Sequence, residues 1–306
     1  MINSSLIVTL GCLVLLFSTL SAQNLNSLPD NSWVRISASP GDPDGREVPP
    51  GRASTWIYDP ISGKMLRYGG YTPTFSNALY SFDLDSLKWT VLFPHDETYP
   101  TTRPGAGSSW SLMVDPSDQS ILFCGGFGST FYGTGDHGLW RYSSLTNTFT
   151  KISGRVPYPG LNKLIMAYDF KNRTIVSTLP MGAAEGSQGK TYVFPLDSNK
   201  WISKNTPSGQ NPQESYRDGF PMVYDTAMHK ILCFKSGATL MDVWAFDVTI
   251  STWTLLTTTN APPKRQWAVA AYDPLNKVTF MTGITDDKAS TGVKTDVWVF
   301  NSATLA

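Results

Sequence analysis

Apolar and polar residues alternate in short runs along most of this chain, and the stretch Leu79–Trp89, LYSFDLDSLKW, shows the recurring form. Tyr80 and Phe82 are two apart, which puts them on one face of a strand. Asp83 to Lys88 is polar and rich in turn formers, and Trp89, seven after Phe82, opens another strand. The arrangement returns as Trp140, Tyr142 and Phe149, as Tyr192, Phe194 and Trp201, and as Trp244, Phe246 and Trp253. A fifth copy begins with Trp298 and Phe300, with no closing aromatic before Ala306. A hairpin precedes each copy. In the first, an apolar strand ends at Tyr58-Asp59, Pro60 to Gly63 turn, and a second strand closes at Gly69-Gly70. Asp-Pro starts a turn because Pro fixes φ and Asp bonds the local backbone. The hairpin recurs at Val114-Asp115-Pro116, Tyr168-Asp169, Tyr224-Asp225 and Tyr272-Asp273-Pro274, with Asp spacings of 56, 54, 56 and 48 residues. Helical periodicity is hard to find after residue 22.

Each period thus holds four short strands, named a to d. Pro-rich connectors join the periods: Phe93–Gly107, Ser153–Gly160, Thr206–Glu214 and Asn260–Lys264. Four strands in a period of about 50 residues predict a β-propeller with one blade per period. The segment Asn31–Ser37, NSWVRIS, matches the d-strand segments at Asn147, Asn199 and Ser251 but has no strand c before it. The last repeat, conversely, has no strand d. Pairing the two completes a fifth blade and removes an open sheet edge. The predicted fold is therefore all-β: a β-propeller of five four-stranded blades, the ring closed by the N-terminal strand d at Trp33 pairing with the C-terminal blade. The other reading is a fragment of a longer propeller.

A Gly-Gly doublet ending strand b, followed by an aromatic and a Trp seven apart, resembles the kelch repeat. Gly69-Gly70 with Phe82 and Trp89 carries the resemblance, as does Gly125-Gly126 with Tyr142 and Phe149. It covers nearly all of residues 23–306. The doublet is missing around Thr178-Leu179 and Lys235-Ser236, and is Thr282-Gly283 in the last repeat, so those strand ends stay open.

Residues 1–22 differ from the rest. Leu6 to Leu20 is an uncharged apolar run followed by Ser21-Ala22, small residues suited to signal-peptidase cleavage. The run is short for a bilayer span. The expectation is a signal peptide over 1–22, a kelch-type propeller over 23–306, and a secreted chain with no membrane attachment after cleavage. An uncleaved anchor is the alternative, and the absence of Lys or Arg in MINSS weakens the signal. Lys plus Arg and Asp plus Glu are 24 each, so no net field draws nucleic acid, and nucleic-acid partners are not expected. Hydrophobic residues make up 41%, enough for a sizeable core. Cys124 and Cys233 fall in the b strands of non-adjacent blades, too far apart for a disulfide, and are expected as free buried thiols.

Strand order assigns loops to faces. The a–b and c–d turns are short and share one face. The b–c loops and d–a connectors, long and irregular, share the other, and variable loops on a rigid scaffold are where binding is usually placed. Arg52, Arg103, Arg217 and Arg265 each precede a strand a, with Lys163 near the same place in the third repeat. Strand a lines the central channel, so these side chains are placed to ring one channel mouth and take a carboxylate or phosphate. The alternative is that each Arg pairs with a local acid, such as Glu47, Glu214 or Asp218, and only pins its loop. Tyr71, Phe75, Phe127, Phe131 and Tyr132 fall in b–c loops, able to stack on sugars or anchor a peptide, with His137 beside them. Asn172-Arg173-Thr174 is a glycosylation sequon in the third a–b turn, which would make the chain a glycoprotein in a eukaryotic host.

The expected function is a secreted, non-catalytic interaction module for protein or carbohydrate binding. It would take a protein, peptide or glycan, anionic ligands included, on the long-loop face. No catalytic residue, metal site or cofactor is assigned: the chain has three His, and no nucleophile-elbow or Walker-type motif. The kelch resemblance implies an alternative, a sugar-active enzyme. Galactose oxidase is similar in architecture but needs two His, two Tyr and a Cys–Tyr crosslink around copper. An exported sialic acid mutarotase of kelch type needs few conspicuous groups, and an arginine-lined mouth would suit its substrate's carboxylate.

Overall fold

The computed structural model describes residues 54–70, 75–98, 100–127, 138–154, 165–178, 190–204, 212, 220–285 and 296–305. These form nineteen strands, with no helix among the described residues. Blade 1 holds β1 (Thr55–Asp59), β2 (Lys64–Tyr68), β3 (Leu79–Asp83) and β4 (Lys88–Phe93). Blade 2 holds β5 (Ser108–Val114), β6 (Ile121–Phe127), β7 (Leu139–Ser143) and β8 (Thr148–Ser153). Blade 3 holds β9 (Ile165–Asp169), β10 (Thr174–Thr178), β11 (Thr191–Pro195) and β12 (Ile202–Lys204). Blade 4 holds β13 (Met222–Asp225), β14 (Lys230–Ser236), β15 (Met241–Asp247) and β16 (Thr252–Leu256). Blade 5 holds β17 (Arg265–Asp273), β18 (Val278–Thr285) and β19 (Trp298–Asn301). Each sheet is antiparallel in chain order. Ile57, Leu112, Met166, Met222 and Tyr272, one from each first strand, line a single channel, so the sheets stand in a ring as a five-bladed β-propeller. The signal segment 1–22 and the expected closing strand at Asn31–Ser37, with Trp33, lie outside the described residues.

One turn geometry is used throughout. Counting the turn aspartate (Asp59, Asp115, Asp169, Asp225 or Asp273) as the first, the fifth residue is left-handed in every a–b turn (Gly63, Gln119, Arg173, His229, Lys277). The same holds at Leu87, Asn147, Asn199, Ser251 and Leu305 after the third strand of each blade, with φ between 49° and 68° over all ten. The fifth N–H closes on the first carbonyl, at 2.9 Å for Gly63 to Asp59 and 2.8 Å for Leu305 to Asn301. An Asp in the first position accepts the N–H groups in between, which otherwise go unmatched in so tight a bend. Asp59 accepts from Ile61 at 3.1 Å, Asp169 from Asn172 at 3.0 Å and Asp225 from Ala227 at 2.8 Å. Asp83, Asp247 and Asn301 do the same after the third strands of blades 1, 4 and 5. Trp201, where the repeat begins strand d, stands one residue before β12 instead of inside it.

The a-strand aspartates also reach the next blade. Asp59, Asp115 and Asp169 are fully buried. Ser144 of blade 2 donates its hydroxyl to Asp59, and Tyr168 of blade 3 donates to Asp115 at 3.3 Å. Burial, and then the Asp115 carboxylate, push the Tyr168 phenol above its ordinary range. Arg141 and Arg173, from blades 2 and 3, lie 3.2 and 3.7 Å from the same carboxylate. Burial and the Asp169 carboxylate raise Tyr224 of blade 4 in the same way. Between blades 4 and 5 the pattern changes: Tyr272 meets the Thr226 hydroxyl at 3.0 Å, and Asp225 Oδ2 has no hydrogen-bond partner among the described residues.

The core lies between blades. Successive strand residues face opposite sides, so a strand flanked by two blades is apolar on both. In blade 4, Ile231, Cys233, Trp244 and Phe246 pack towards blade 3 with Val176 and Val193. Leu232, Phe234, Val243 and Ala245 pack towards blade 5 with Met281 and Phe300. Similar clusters join blades 1 and 2, around Tyr68, Trp110 and Phe123, and blades 2 and 3, around Leu122, Cys124 and Phe194. The paired aromatics of each repeat touch, with ring centroids 5.0 Å apart for Phe82–Trp89 and 4.9 Å for Phe246–Trp253. Cys124 and Cys233 are free and buried, and burial pushes the Cys124 thiol up to about 12. Val269 and Val299 of blade 5 and Trp56 and Tyr58 of blade 1, on the faces turned away from blades 4 and 2, are each 45–59% exposed. An apolar cleft beside β19 is walled by Met241, Val243, Pro262 and Phe300.

Gly69 has φ +67°, and a Cβ there would lie 2.3 Å from the Gly107 carbonyl oxygen. Gly70 N–H donates to that oxygen at 2.9 Å, so the doublet lets the blade 2 connector run against the end of β2. In blade 2 the doublet sits inside β6, which continues to Phe127. Gly69→Ala is expected to destabilise by about 2 kcal/mol or more, and Gly154→Ala, in open space, by less than about 0.5 kcal/mol. Urea unfolding of both variants checks this.

The turn caps carry a pH dependence. Hydrogen bonds from the Ser86 backbone and hydroxyl hold Asp83 down at about 2, and bonds from Thr249 and Asn276 lower Asp247 and Asp273. A carboxyl with a depressed folded-state pKa contributes stability that is complete above its unfolded value of 3.8. That contribution is lost as pH falls through the folded value. The urea midpoint is therefore expected to hold down to about pH 4 and fall towards pH 2, less steeply in Asp83→Asn. A midpoint flat over that window contradicts the cap account.

Candidate ligand-binding site

The antiparallel order a-b-c-d places the b–c loops and d–a connectors on one rim of the disc. Of the residues singled out there, Arg52, Lys163, Arg217, Tyr71, Phe131, Tyr132 and His137 lie outside the described residues. Arg103, Arg265 and Phe75 are described. Phe127 is the last residue of β6, paired with Ser108, and so belongs to the sheet instead of the loop.

Arg265 opens β17 and is 1% exposed. Its guanidinium donates to the Gly283 carbonyl at 3.0 Å and to Asp296 Oδ2 at 2.7 Å, and lies 5.8 Å from the Trp298 ring centroid. Trp298 Nε1 donates to the same Asp296 oxygen at 2.7 Å. These donors, Arg265 first, hold Asp296 at about 2. The arginine thus ties both ends of the blade 5 b–c loop to the first strand. Its charge is matched locally.

Arg103 sits in the connector between blades 1 and 2 and is 5% exposed. Nη2 donates to the Pro94 carbonyl at 2.8 Å and is 3.9 Å from Asp96, and the guanidinium lies 5.7 Å from the Phe93 ring centroid. Its Nε is buried without a hydrogen-bond partner among the described residues. Burial lowers the Arg103 pKa from its ordinary value. Around it the connector folds into an open cup of about 490 Å³ lined by Phe93, His95, Asp96, Glu97, Thr102 and Arg103.

The cup is held from below by Asn77, fully buried in the blade 1 b–c loop. Asn77 Oδ1 accepts the Asp96 N–H at 2.9 Å and lies 3.0 Å from His95 Nδ1, while Nδ2 donates to the Asp96 carbonyl at 3.1 Å. The Asn77 backbone N–H also lies 3.4 Å from His95 Nδ1, so that nitrogen faces both a donor and an acceptor of Asn77. Thr98 N–H and hydroxyl both bond Asp96 Oδ1 and, hydroxyl first, lower its pKa. The site therefore presents a cation, carboxylates, an imidazole and an aromatic face in one concavity. Sequence reasoning passed over His95, Asp96 and Glu97. The signal was the run His-Asp-Glu between Pro94 and Pro100, in the same connector as Arg103.

Phe75 is 5% exposed. Among the described residues no contact joins the network of Arg103, in the connector before blade 2, to that of Arg265 on blade 5. His229 is on the opposite face, in an a–b turn, 3.3 Å from the Tyr224 hydroxyl. Asn172, in the sequon, donates Nδ2 to Asp169 at 2.7 Å, and Thr174 is buried. Among the described residues no three His, Cys, Asp or Glu side chains gather as a metal-binding group.

No protein-family model matches the chain, and no curated protein matches it. Among solved structures it is similar to one described as "Structure of YjhT", with 13% identity and a TM-score of 0.60 over 90% of this chain and 86% of that one. At that identity the likeness is one of fold, and it supports the β-propeller architecture.

Proposed function

We propose that this chain is an exported, non-catalytic recognition module of kelch type that binds a protein, peptide or glycan on the rim of b–c loops and d–a connectors. The cup at 93–103 is the observation that carries the reading. It is concave, bears both charge signs and an aromatic face, and stands on a backbone fixed by Asn77 and Arg103. Sites of this kind keep their shape before the ligand arrives, which lowers the ordering cost of binding. The buried guanidinium favours ligands with a carboxylate or other anionic group, desolvated against Phe93. Arg52, Arg217, Tyr71, Phe131, Tyr132 and His137 belong to the same proposed rim. The Asn172 sequon lies on the other face, where a glycan would leave the rim open. The repeat of Gly-Gly, aromatic and Trp supports the kelch assignment, and the apolar run before Ala22 supports export.

The test is capture of the chain from Gln23 onward on arrays of acidic peptides and of sialylated and uncharged glycans. It is compared with Thr102→Glu and Thr102→Trp, which add negative charge or bulk to an exposed wall of the cup and leave its buried frame alone. A ligand bound by the wild type and at least about tenfold weaker in both variants, at unchanged melting temperature, supports the reading. Hits that neither substitution weakens would remove the cup from the site.

A further inference from the structure

We propose that the central channel, at the mouth ringed by the a–b turns, is a second binding site, for an uncharged small molecule with an aromatic ring. This site lies on the face opposite the rim above and stands independently of that reading.

The cavity is about 460 Å³, within the range that holds small ligands, and all five blades supply its wall. Deeper in, the wall is aliphatic and thioether: Leu112, Met166 and Met222 come from the same level of blades 2, 3 and 4, three residues before the turn aspartate. Nearer the mouth it is aromatic: Tyr168, Tyr224 and Tyr272. Their hydroxyls are already engaged, Tyr168 with Asp115, Tyr224 with His229 at 3.3 Å and Tyr272 with Thr226 at 3.0 Å. The phenols therefore offer the channel ring carbon, with their polar atoms satisfied within the rim. Water in such a space finds few partners, and displacing weakly held water with an apolar group gains affinity. Methionine adapts its shape and is attracted to aromatic rings, which favours a flat occupant.

Phe170 sharpens the assignment. It follows the turn aspartate of blade 3, where blades 1, 2 and 5 carry Pro60, Pro116 and Pro274 and blade 4 carries Thr226. A proline there serves the turn, and Phe170 does not. It is 39% exposed, lines the cavity, and stands edge-on to Tyr224 with centroids 4.3 Å apart and to Tyr168 at 6.3 Å. An aromatic cluster left half-open at the mouth of an apolar channel is the geometry that receives another ring.

The probe is N-phenyl-1-naphthylamine, a neutral naphthalene dye, titrated into the full chain. One saturable site with enhanced, blue-shifted emission and a rise in melting temperature is expected. Phe170→Asp, at an exposed position, and Leu112→Trp, which fills the channel with an indole, should each weaken dye binding at least about tenfold. Val299→Ser, on the exposed outer face of blade 5, should leave it unchanged. The absence of saturable binding overturns the proposal. So does dye affinity that survives both channel substitutions and is lost in Val299→Ser, since the dye would then report the outer sheet face. The melting temperature of each variant without dye separates lost binding from lost fold.

Discussion

A buried aspartate closing the first strand of blades 1 to 3 fixes both levels of this structure. Within a blade, Asp59, Asp115 and Asp169 cap the turn that starts the next strand. Between blades, Asp59 and Asp115 accept a hydroxyl from the following sheet, Ser144 in one case and Tyr168 in the other. A carboxylate this deeply buried is costly unless its lone pairs are filled. Only the correct turn and the correct neighbour together fill them. Local chain reversal and the stacking of blades are thereby satisfied by the same group.

The second constraint is the two-sided burial that follows from a ring. Ile231 and Cys233 face one neighbour while Leu232 and Phe234 face the other, and β15 alternates in the same way. Four apolar clusters each span two neighbouring blades, and most of the buried apolar surface among the described residues lies in these seams. The inner strands, set side by side around the channel, then decide what the two mouths can be. One is built from long connectors with matched charges. The other is built from uniform turns, with the tyrosine hydroxyls engaged and ring carbon left as wall.

Much of this was legible in the chain. The recurring Asp marked the turns because its side chain does there what few others do, and the aromatic pair seven apart marked the reversal from third to fourth strand. The thiols followed from placing Cys124 and Cys233 in different blades. The candidate site was less legible. Arg103 and Arg265 stood out by their spacing, but their local partners, Asp96 and Asp296, come from connector and loop geometry that has no period. The cup depends on Asn77 reaching the backbone of residue 96, a long-range bond with no local signature. Phe127 was misplaced by a few residues because the Gly doublet in blade 2 falls inside a strand instead of ending it. The channel wall was hidden for a different reason: Met166 and Met222 are ordinary core residues in sequence, and only the ring brings them together.

The claim that turn and seam share one group is tested most directly by a double-mutant cycle on Asp115→Ala and Tyr168→Phe, read by urea unfolding. Residues acting through one hydrogen bond across the seam should show a coupling of about 1–3 kcal/mol, while Tyr168→Phe combined with Asp273→Ala, in a distant turn, should be additive. Additivity within about 0.5 kcal/mol for the Asp115–Tyr168 pair would mean that the cap and the blade contact are separate features, and would contradict the account.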